Sequence, residues 1–150
     1  MHLLKLYQPL IGNKASFLQP YSGDGQEALY AQASMFWDKL DAASVFFLVI
    51  IILVGVAMAA YYYVPFNNQP NRHYLPKYWW MFFGASAVVS IGLTCLVATL
   101  AANSSLSGTW SIILRIALAN AIGTIGFYWF VSVLWVKWGK TNAYRMRLFF

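Results

Sequence analysis

One charged side chain lies in a stretch of the chain that is otherwise apolar. Arg115 falls within the run from Gly108 to Trp138, which exceeds the roughly 20 apolar residues that cross a bilayer. An arginine near the centre of a bilayer costs about 2.5–3.5 kcal/mol on insertion scales. The guanidinium group therefore needs water, a protein partner or a lipid head group. Snorkelling to the nearer membrane surface would satisfy it, and so would a water-filled vestibule or an intersubunit contact; both readings stay open.

Small polar side chains accompany this arginine in the apolar runs. Ser86, Ser90 and Thr94 recur every four residues, which places them on one helix face. Ser111 shares a face with Arg115, whereas Asn120 lies on a different one. Such stripes either pack helices closely or line a wet pore. The candidates for a pore or an intersubunit contact are Arg115, Ser111, Asn120, Ser86, Ser90 and Thr94.

Small residues also interrupt the first and third apolar runs. Gly55 and Ala59 are four residues apart, a spacing that lets two membrane helices approach closely. Gly123 and Gly126 allow a close contact or a bend. We predict that these four residues pack helices together.

The sequence contains no pattern typical of an enzyme. All four acidic residues precede the first apolar run, and Asp38 and Asp41 have the spacing of a solvated helix face. The two histidines, His2 and His73, are far apart, and the single cysteine, Cys95, suits apolar packing. We find no glycine-rich phosphate loop and no serine nucleophile motif. We therefore expect no catalytic residue, no metal site and no cofactor.

The composition indicates a membrane protein. Of the 150 residues, 61% are hydrophobic and 9% are charged, whereas a soluble domain carries about 25% charged residues. A soluble protein of this size cannot bury so much apolar surface, so lipid must cover it. The basic residues are few and scattered, which disfavours nucleic acid as a partner.

Three apolar runs define the fold that these residues occupy. They cover about 43–64, 78–100 and 109–138, and Pro65 is expected to end the first helix. Aromatic residues cluster at the ends of the runs, as they do at membrane interfaces. We predict an all-α integral membrane protein with no soluble domain. Its transmembrane domain, residues 43–150, ends in a basic tail.

Two segments precede the first run. Residues 1–23 contain two prolines and two glycines, which favours an irregular N-terminal arm that docks on a neighbouring subunit or lies on the bilayer. The sequence Asp24-Gly25-Gln26-Glu27 resembles a capping box. It predicts an amphipathic interfacial helix over 24–42, which either continues into the first span or bends near residues 41–44.

The charges are distributed unevenly along the chain. Residues 1–42 carry three basic and four acidic side chains, a net charge of −1, whereas loop 65–77 and residues 137–150 carry six basic ones. The excess of basic residues predicts a cytoplasmic C-terminus and an outer N-terminus in a bacterial inner membrane. Six basic residues are expected to contact the membrane surface or lipid head groups: Arg72, Lys77, Lys137, Lys140, Arg145 and Arg147.

These features predict a small subunit of an oligomeric membrane assembly of the secretion, conjugation, translocation or defence type. Its partners would be the lipid bilayer and either further copies of itself or other membrane subunits, bound through small-residue helix faces. The alternative is a self-contained homo-oligomeric channel with Arg115 near the conduction path, where a ring of arginines would favour anions.

Overall fold

The computed structural model describes residues 3–70, 75–102 and 106–139. Within these ranges the chain is helical and contains no strand. The chain divides into two compact units. The first unit comprises residues 1–49 and 91–119, and the second comprises residues 50–90 and 120–150.

The N-terminal arm is a series of short helices rather than the irregular segment that the prolines and glycines suggested. Pro9 lies in the first turn of a helix, a position that needs no backbone N–H donor. Gly12, at a φ of 80°, ends that helix. The Asn13 side chain accepts a hydrogen bond from the Ser16 backbone N and so caps the next helix. The pieces are the 3₁₀ turns Leu3–Tyr7 and Gln19–Tyr21, α1 (Gln8–Ile11) and α2 (Lys14–Leu18).

The first long helix, α3, runs from Glu27 to Tyr61. It begins three residues after Asp24, because Gly25 adopts a φ of 76° in the preceding turn. The helix continues without a break through residues 41–44, so the predicted interfacial segment and the first predicted span form one element. A π-helix, Tyr62–Phe66, follows and contains Pro65, so the helical path continues past the residue expected to end it.

The other two long helices are α4 (Pro76–Ala101) and α5 (Thr109–Trp138). Pro76 occupies the start of α4, where its fixed φ suits a helix. Gly108, at a φ of 85°, forms the turn that precedes α5. With α3, these helices are long and apolar enough to cross a membrane, by length and composition. The prediction of three long apolar helices is confirmed.

The core of the first unit joins the arm to parts of all three long helices. Leu4, Tyr7 and Ile11 from the arm are buried against Phe47 of α3 and Ile116 of α5. A smaller cluster joins Leu18 of the arm to residues of α3 and of the turn before α5. The other buried members of the larger cluster are Phe36, Trp37, Leu40, Ala43, Ala98, Ala102, Ile112 and Ile113. The arm is thus part of the hydrophobic core.

The core of the second unit is largely aromatic. The rings of Tyr63 and Trp135 stack with their centroids 5.7 Å apart and their planes 8° apart. The Tyr128 ring lies 5.4 Å from that of Trp79. The buried members of this cluster are Ala59, Tyr62, Tyr63, Phe66, Trp79, Phe82, Tyr128 and Val136.

Candidate functional site

Arg115 is bound to the N-terminal arm. Its Nη1 atom donates a hydrogen bond to the backbone oxygen of Leu10, at a distance of 3.1 Å. Leu10 lies in the last turn of α1, where helix carbonyl groups lack partners within the helix. Arg115 is otherwise exposed, and among the described residues it has no second hydrogen-bond partner. The structure therefore gives this arginine one partner within its own chain.

Ser111, one turn before Arg115, is also exposed. Its hydroxyl donates to the backbone oxygen of Gly108 at 2.8 Å, within the first turn of α5. A cavity of about 230 Å³ lies beside Ser111, between the arm and the start of α5. Its lining residues are Ser16, Phe17, Pro20, Tyr21, Ser107, Gly108, Ser111 and Ile112.

Three further polar contacts hold the arm. The Leu4 backbone N donates to Asp41 Oδ1 at 3.3 Å, and Lys14 Nζ forms an ion pair with Asp38 Oδ1 at 2.7 Å. The Tyr21 hydroxyl donates to the backbone oxygen of Ser107 at 2.9 Å. The two aspartates therefore bind the arm, whereas their spacing in the sequence is typical of a solvated helix face.

The arm and α3 border a cleft of mixed charge. Its volume is about 390 Å³, and it contains two basic and two acidic side chains. Because the charges balance, the cleft has no strong preference for an anion or a cation. Its lining residues are Leu4, Lys5, Gln8, Lys14, Trp37, Asp38 and Asp41.

Tyr7 anchors the centre of the arm. Its ring meets that of Phe47 edge-on, with the centroids 6.2 Å apart. Burial raises the pKa of the Tyr7 phenol to about 12, because the phenolate would lose its hydration. The neutral phenol is therefore the form that fits this position.

The serine and threonine stripe of α4 is buried within the chain. Ser86, Ser90 and Thr94 are each fully buried, as is Asn120 on α5. Ser86 donates to the backbone oxygen of Phe83 in its own helix at 2.7 Å. Within the second unit, the Thr124 hydroxyl donates to Ser90 Oγ at 2.9 Å. In this structure these side chains contribute to packing inside the chain.

The small residues of the second unit differ in their surroundings. A Cβ atom at Gly55 would lie 2.9 Å from Phe127 Cβ and 3.2 Å from the Tyr128 backbone N, so α3 and α5 approach closely there. A Cβ at Gly123 would lie 3.1 Å from a methyl carbon of Ile51. Ala59 is fully buried. Gly126, by contrast, is exposed and has open space beside it.

Two exposed glycines of α4 are not among the residues that the sequence predicted to pack helices. Gly84 and Gly92 are both exposed, and no atom lies within 4 Å of the Cβ position of either. Glycine in a helix interior costs about 0.5–1 kcal/mol relative to alanine. Two glycines eight residues apart in one apolar helix are a sequence signal for close helix approach.

A buried polar cluster of the second unit also went unnoticed in the sequence. Trp79 Nε1 donates to Ser132 Oγ at 3.2 Å, and Ser132 is fully buried. In the same unit, the Tyr63 hydroxyl within the π-helix and both polar atoms of the Asn67 amide just after it are buried without a hydrogen bond of standard geometry to a described residue. Each such buried group costs about 1–3 kcal/mol when it stays unpaired. Ordered water commonly satisfies groups of this kind.

The basic residues predicted to contact the membrane surface are described only in part. Lys77 is exposed, and its Nζ lies 5.1 Å from the centroid of the Tyr78 ring. Lys137 is exposed in the last turn of α5. The remaining four, Arg72, Lys140, Arg145 and Arg147, lie outside the described residues, as do His2 and His73. The described part of the chain contains no group of three or more potential metal ligands.

Large apolar side chains are exposed on all three long helices. Phe46 and Leu53 of α3, Val88 of α4 and Leu118 of α5 each expose about half or more of their surface. Singly exposed apolar residues are ordinary, but extended apolar surfaces mark contact with a membrane or a partner. Other exposed members are Val45, Val49, Ile52, Val56, Met81, Val89, Leu93, Leu96, Leu100, Leu114, Ile122, Trp129 and Phe130.

Comparisons with known proteins assign no family to this chain. Neither the protein-family models, nor the curated proteins, nor the solved structures contain a match. Three features of the structure bear on function: the exposed apolar surface, the docked arm and the glycines of α4.

Proposed function

We propose that this chain is an integral membrane protein that crosses the bilayer with α3, α4 and α5. The exposed apolar surface of these helices carries the proposal, because water would solvate it poorly and lipid would cover it favourably. The shortest of the three, α4, has 26 residues, about 39 Å at 1.5 Å per residue. That length exceeds the roughly 30 Å of a hydrocarbon core.

Within the membrane, the protein acts as a subunit of an oligomeric assembly of the secretion, conjugation, translocation or defence type. The exposed glycines of α4 support this role. In lipid, helices associate mainly by close packing, which small residues permit. Only 28% of the most apolar stretch of α4 is buried within the chain, whereas 39% is buried in each of the other two long helices. Helix α4 therefore has the largest exposed share available to a partner helix.

The alternative of a self-contained channel has less support. Of its six candidate residues, Ser86, Ser90, Thr94 and Asn120 are buried within the chain. The guanidinium of Arg115 is bound to the arm. No observation specifically favours a conduction path, so the channel remains a prediction from the sequence.

The assembly role is tested by native mass in mild detergent. Gly84→Leu and Gly92→Leu place a large side chain where a partner helix would approach, and we expect either to lower the native mass. Val89→Leu is the matched control, because Val89 is exposed on the same helix and already carries a branched side chain. Unchanged mass in both glycine variants would exclude assembly through this face.

Membrane insertion needs a separate test. Membranes that contain the protein are washed with alkaline carbonate, which releases proteins bound only at the surface. We expect the protein to remain in the membrane pellet. Quantitative release into the supernatant would contradict the proposal that three helices cross the bilayer.

A further inference from the structure

We infer that Arg115 and the docked arm form a binding site for the phosphate group of a phospholipid. This inference rests on the proposed membrane insertion and assigns a ligand to a surface within the first unit. The site consists of the Arg115 guanidinium and the exposed leucines around it, Leu114 and Leu118 on α5 and Leu10 on the arm.

Most of the hydrogen-bonding capacity of Arg115 is unused among the described residues. A guanidinium group carries five N–H donors and stays charged at every relevant pH. One of them donates to the Leu10 backbone oxygen, and among the described residues no acidic side chain pairs with the group. The remaining donors form a planar fork that matches the oxygens of a phosphate.

The position of Arg115 along α5 sets its depth in the proposed membrane. Helix α5 has 30 residues, about 45 Å, so that about 7 Å extends past each side of a 30 Å hydrocarbon core when the helix is centred. Arg115 lies six residues after Thr109, the first residue of α5, which corresponds to about 9 Å along the axis. Arg115 therefore falls near the boundary between hydrocarbon and head groups, within reach of lipid phosphates.

Exposed apolar side chains surround the guanidinium group of Arg115. Leu114 and Leu118 flank Arg115 on α5, and each exposes about half of its side chain. On the arm, Leu10 exposes 51% of its surface, beside the carbonyl group that binds Arg115. A free inorganic phosphate would gain nothing from these leucines, whereas the acyl chains of a lipid would cover them. We therefore assign the site to a phospholipid.

The arm has a direct part in this site. Its contact at Leu10 fixes one edge of the guanidinium and leaves the others free for a ligand. Holding the fork in one orientation lowers the entropy that binding must remove. A lipid bound here would in turn favour the docked arm, because the ligand binds the docked form more tightly.

The test is native mass spectrometry of the detergent-purified protein with three probes. These are phosphatidylglycerol, a diacylglycerol with the same acyl chains, and inorganic phosphate. We expect wild-type protein to bind phosphatidylglycerol in preference to diacylglycerol. Arg115→Gln should weaken that binding about tenfold, as loss of one charge-assisted interaction does, and Arg115→Lys should bind with intermediate strength because it keeps the charge without the fork.

Two controls separate this effect from a general loss of charge or structure. Lys39→Gln removes an equivalent charge at an exposed position of α3 and should bind phosphatidylglycerol like the wild type. A nitroxide at Ala15→Cys, in a Cys95→Ser background, reports whether the arm stays docked in Arg115→Gln. We expect it to stay docked, because the buried contacts of Leu4, Tyr7 and Ile11 remain.

The inference is overturned if phosphatidylglycerol and diacylglycerol bind alike, or if Arg115→Gln binds phosphatidylglycerol as the wild type does. Tight binding of inorganic phosphate, with no gain from acyl chains, would overturn the assignment to a lipid. The proposed membrane insertion would fail in a different experiment, because carbonate would then release the protein into the supernatant. A protein that resists carbonate but fails the lipid test would leave only this inference wrong.

Discussion

At the scale of single residues, the structure shows which partners the polar side chains of the apolar helices have. The Arg115 guanidinium donates a hydrogen bond to a backbone carbonyl oxygen of the arm, and the Thr124 hydroxyl donates to Ser90 Oγ. The glycines divide into those that a neighbouring helix touches, such as Gly55, and those beside open space, such as Gly84. This division predicts different responses to the same substitution.

Gly55→Ala should destabilise the protein. The added methyl group would lie 2.9 Å from Phe127 Cβ and 3.3 Å from the Thr124 backbone oxygen, so α3 and α5 must separate, at a cost of about 1–3 kcal/mol. Gly126→Ala is the control, since its methyl group on α5 would meet no atom within 4 Å. Thermal unfolding in detergent should show a lower midpoint for Gly55→Ala alone. Equal midpoints would mean that the close contact is absent.

The role of some of these residues could be predicted from the sequence, whereas the partner of Arg115 could not. Gly55 and Gly123 stood out because small-residue spacing is a property of one helix. The partner of Arg115 could not be found in the same way, since Leu10 is 105 residues away in the chain. The acceptor is a backbone oxygen, which every residue has, so the identity of Leu10 does not indicate the contact.

At the scale of elements, the arm is the part whose structure differs most from the expectation. Its prolines and glycines mark boundaries between short helices, and its buried leucines supply core contacts. Hydrophobic periodicity predicts long helices well. A helix of four or five residues is too short to show a periodic pattern. The long helices were therefore anticipated closely, whereas the arm was not.

Leu4→Ala should release the arm without unfolding the long helices. Leu4 exposes 2% of its surface, and removal of a buried leucine side chain costs about 2–5 kcal/mol. Leu6→Ala is the matched control, because Leu6 is 64% exposed in the same turn. The nitroxide at Ala15→Cys should become more mobile in Leu4→Ala only. Identical spectra for the two variants would show that arm docking does not depend on Leu4.

Docking of the arm should also weaken in strong alkali. The pKa of Tyr7 is about 12 in the docked arm, against about 10 for an exposed tyrosine. Below pH 10 the phenol is neutral in both forms, and docking is fully stable. As the pH rises from 10 to 12, the undocked arm loses its proton first, so docking is progressively lost.

The same nitroxide measures this transition, and Tyr7→Phe provides the comparison. The variant keeps the ring that meets Phe47 but has no proton to lose, so its spectrum should change less between pH 10 and pH 12. A transition of equal size in both proteins would exclude Tyr7 as its cause.

At the scale of the whole molecule, composition was the strongest source of information. A chain with 61% hydrophobic residues leaves large apolar side chains exposed on α3, α4 and α5, and this surface supports the proposed insertion into lipid. The proposed oligomeric interface could not be predicted from composition. An interface depends on which faces stay open after the chain has folded, as with Gly84 and Gly92.

Orientation in the membrane gives the last prediction. The excess of basic residues after the first run favours an outer N-terminal segment and a cytoplasmic loop 65–77. Ser22→Cys and Gln69→Cys, each in a Cys95→Ser background, place single thiols at exposed positions in these two segments. An impermeant maleimide added to intact cells should label Ser22→Cys and spare Gln69→Cys, and permeabilised cells should label both. The reverse pattern would indicate the opposite topology, with the N-terminal segment in the cytoplasm. Labelling of both thiols in intact cells would mean that α3 does not cross the membrane.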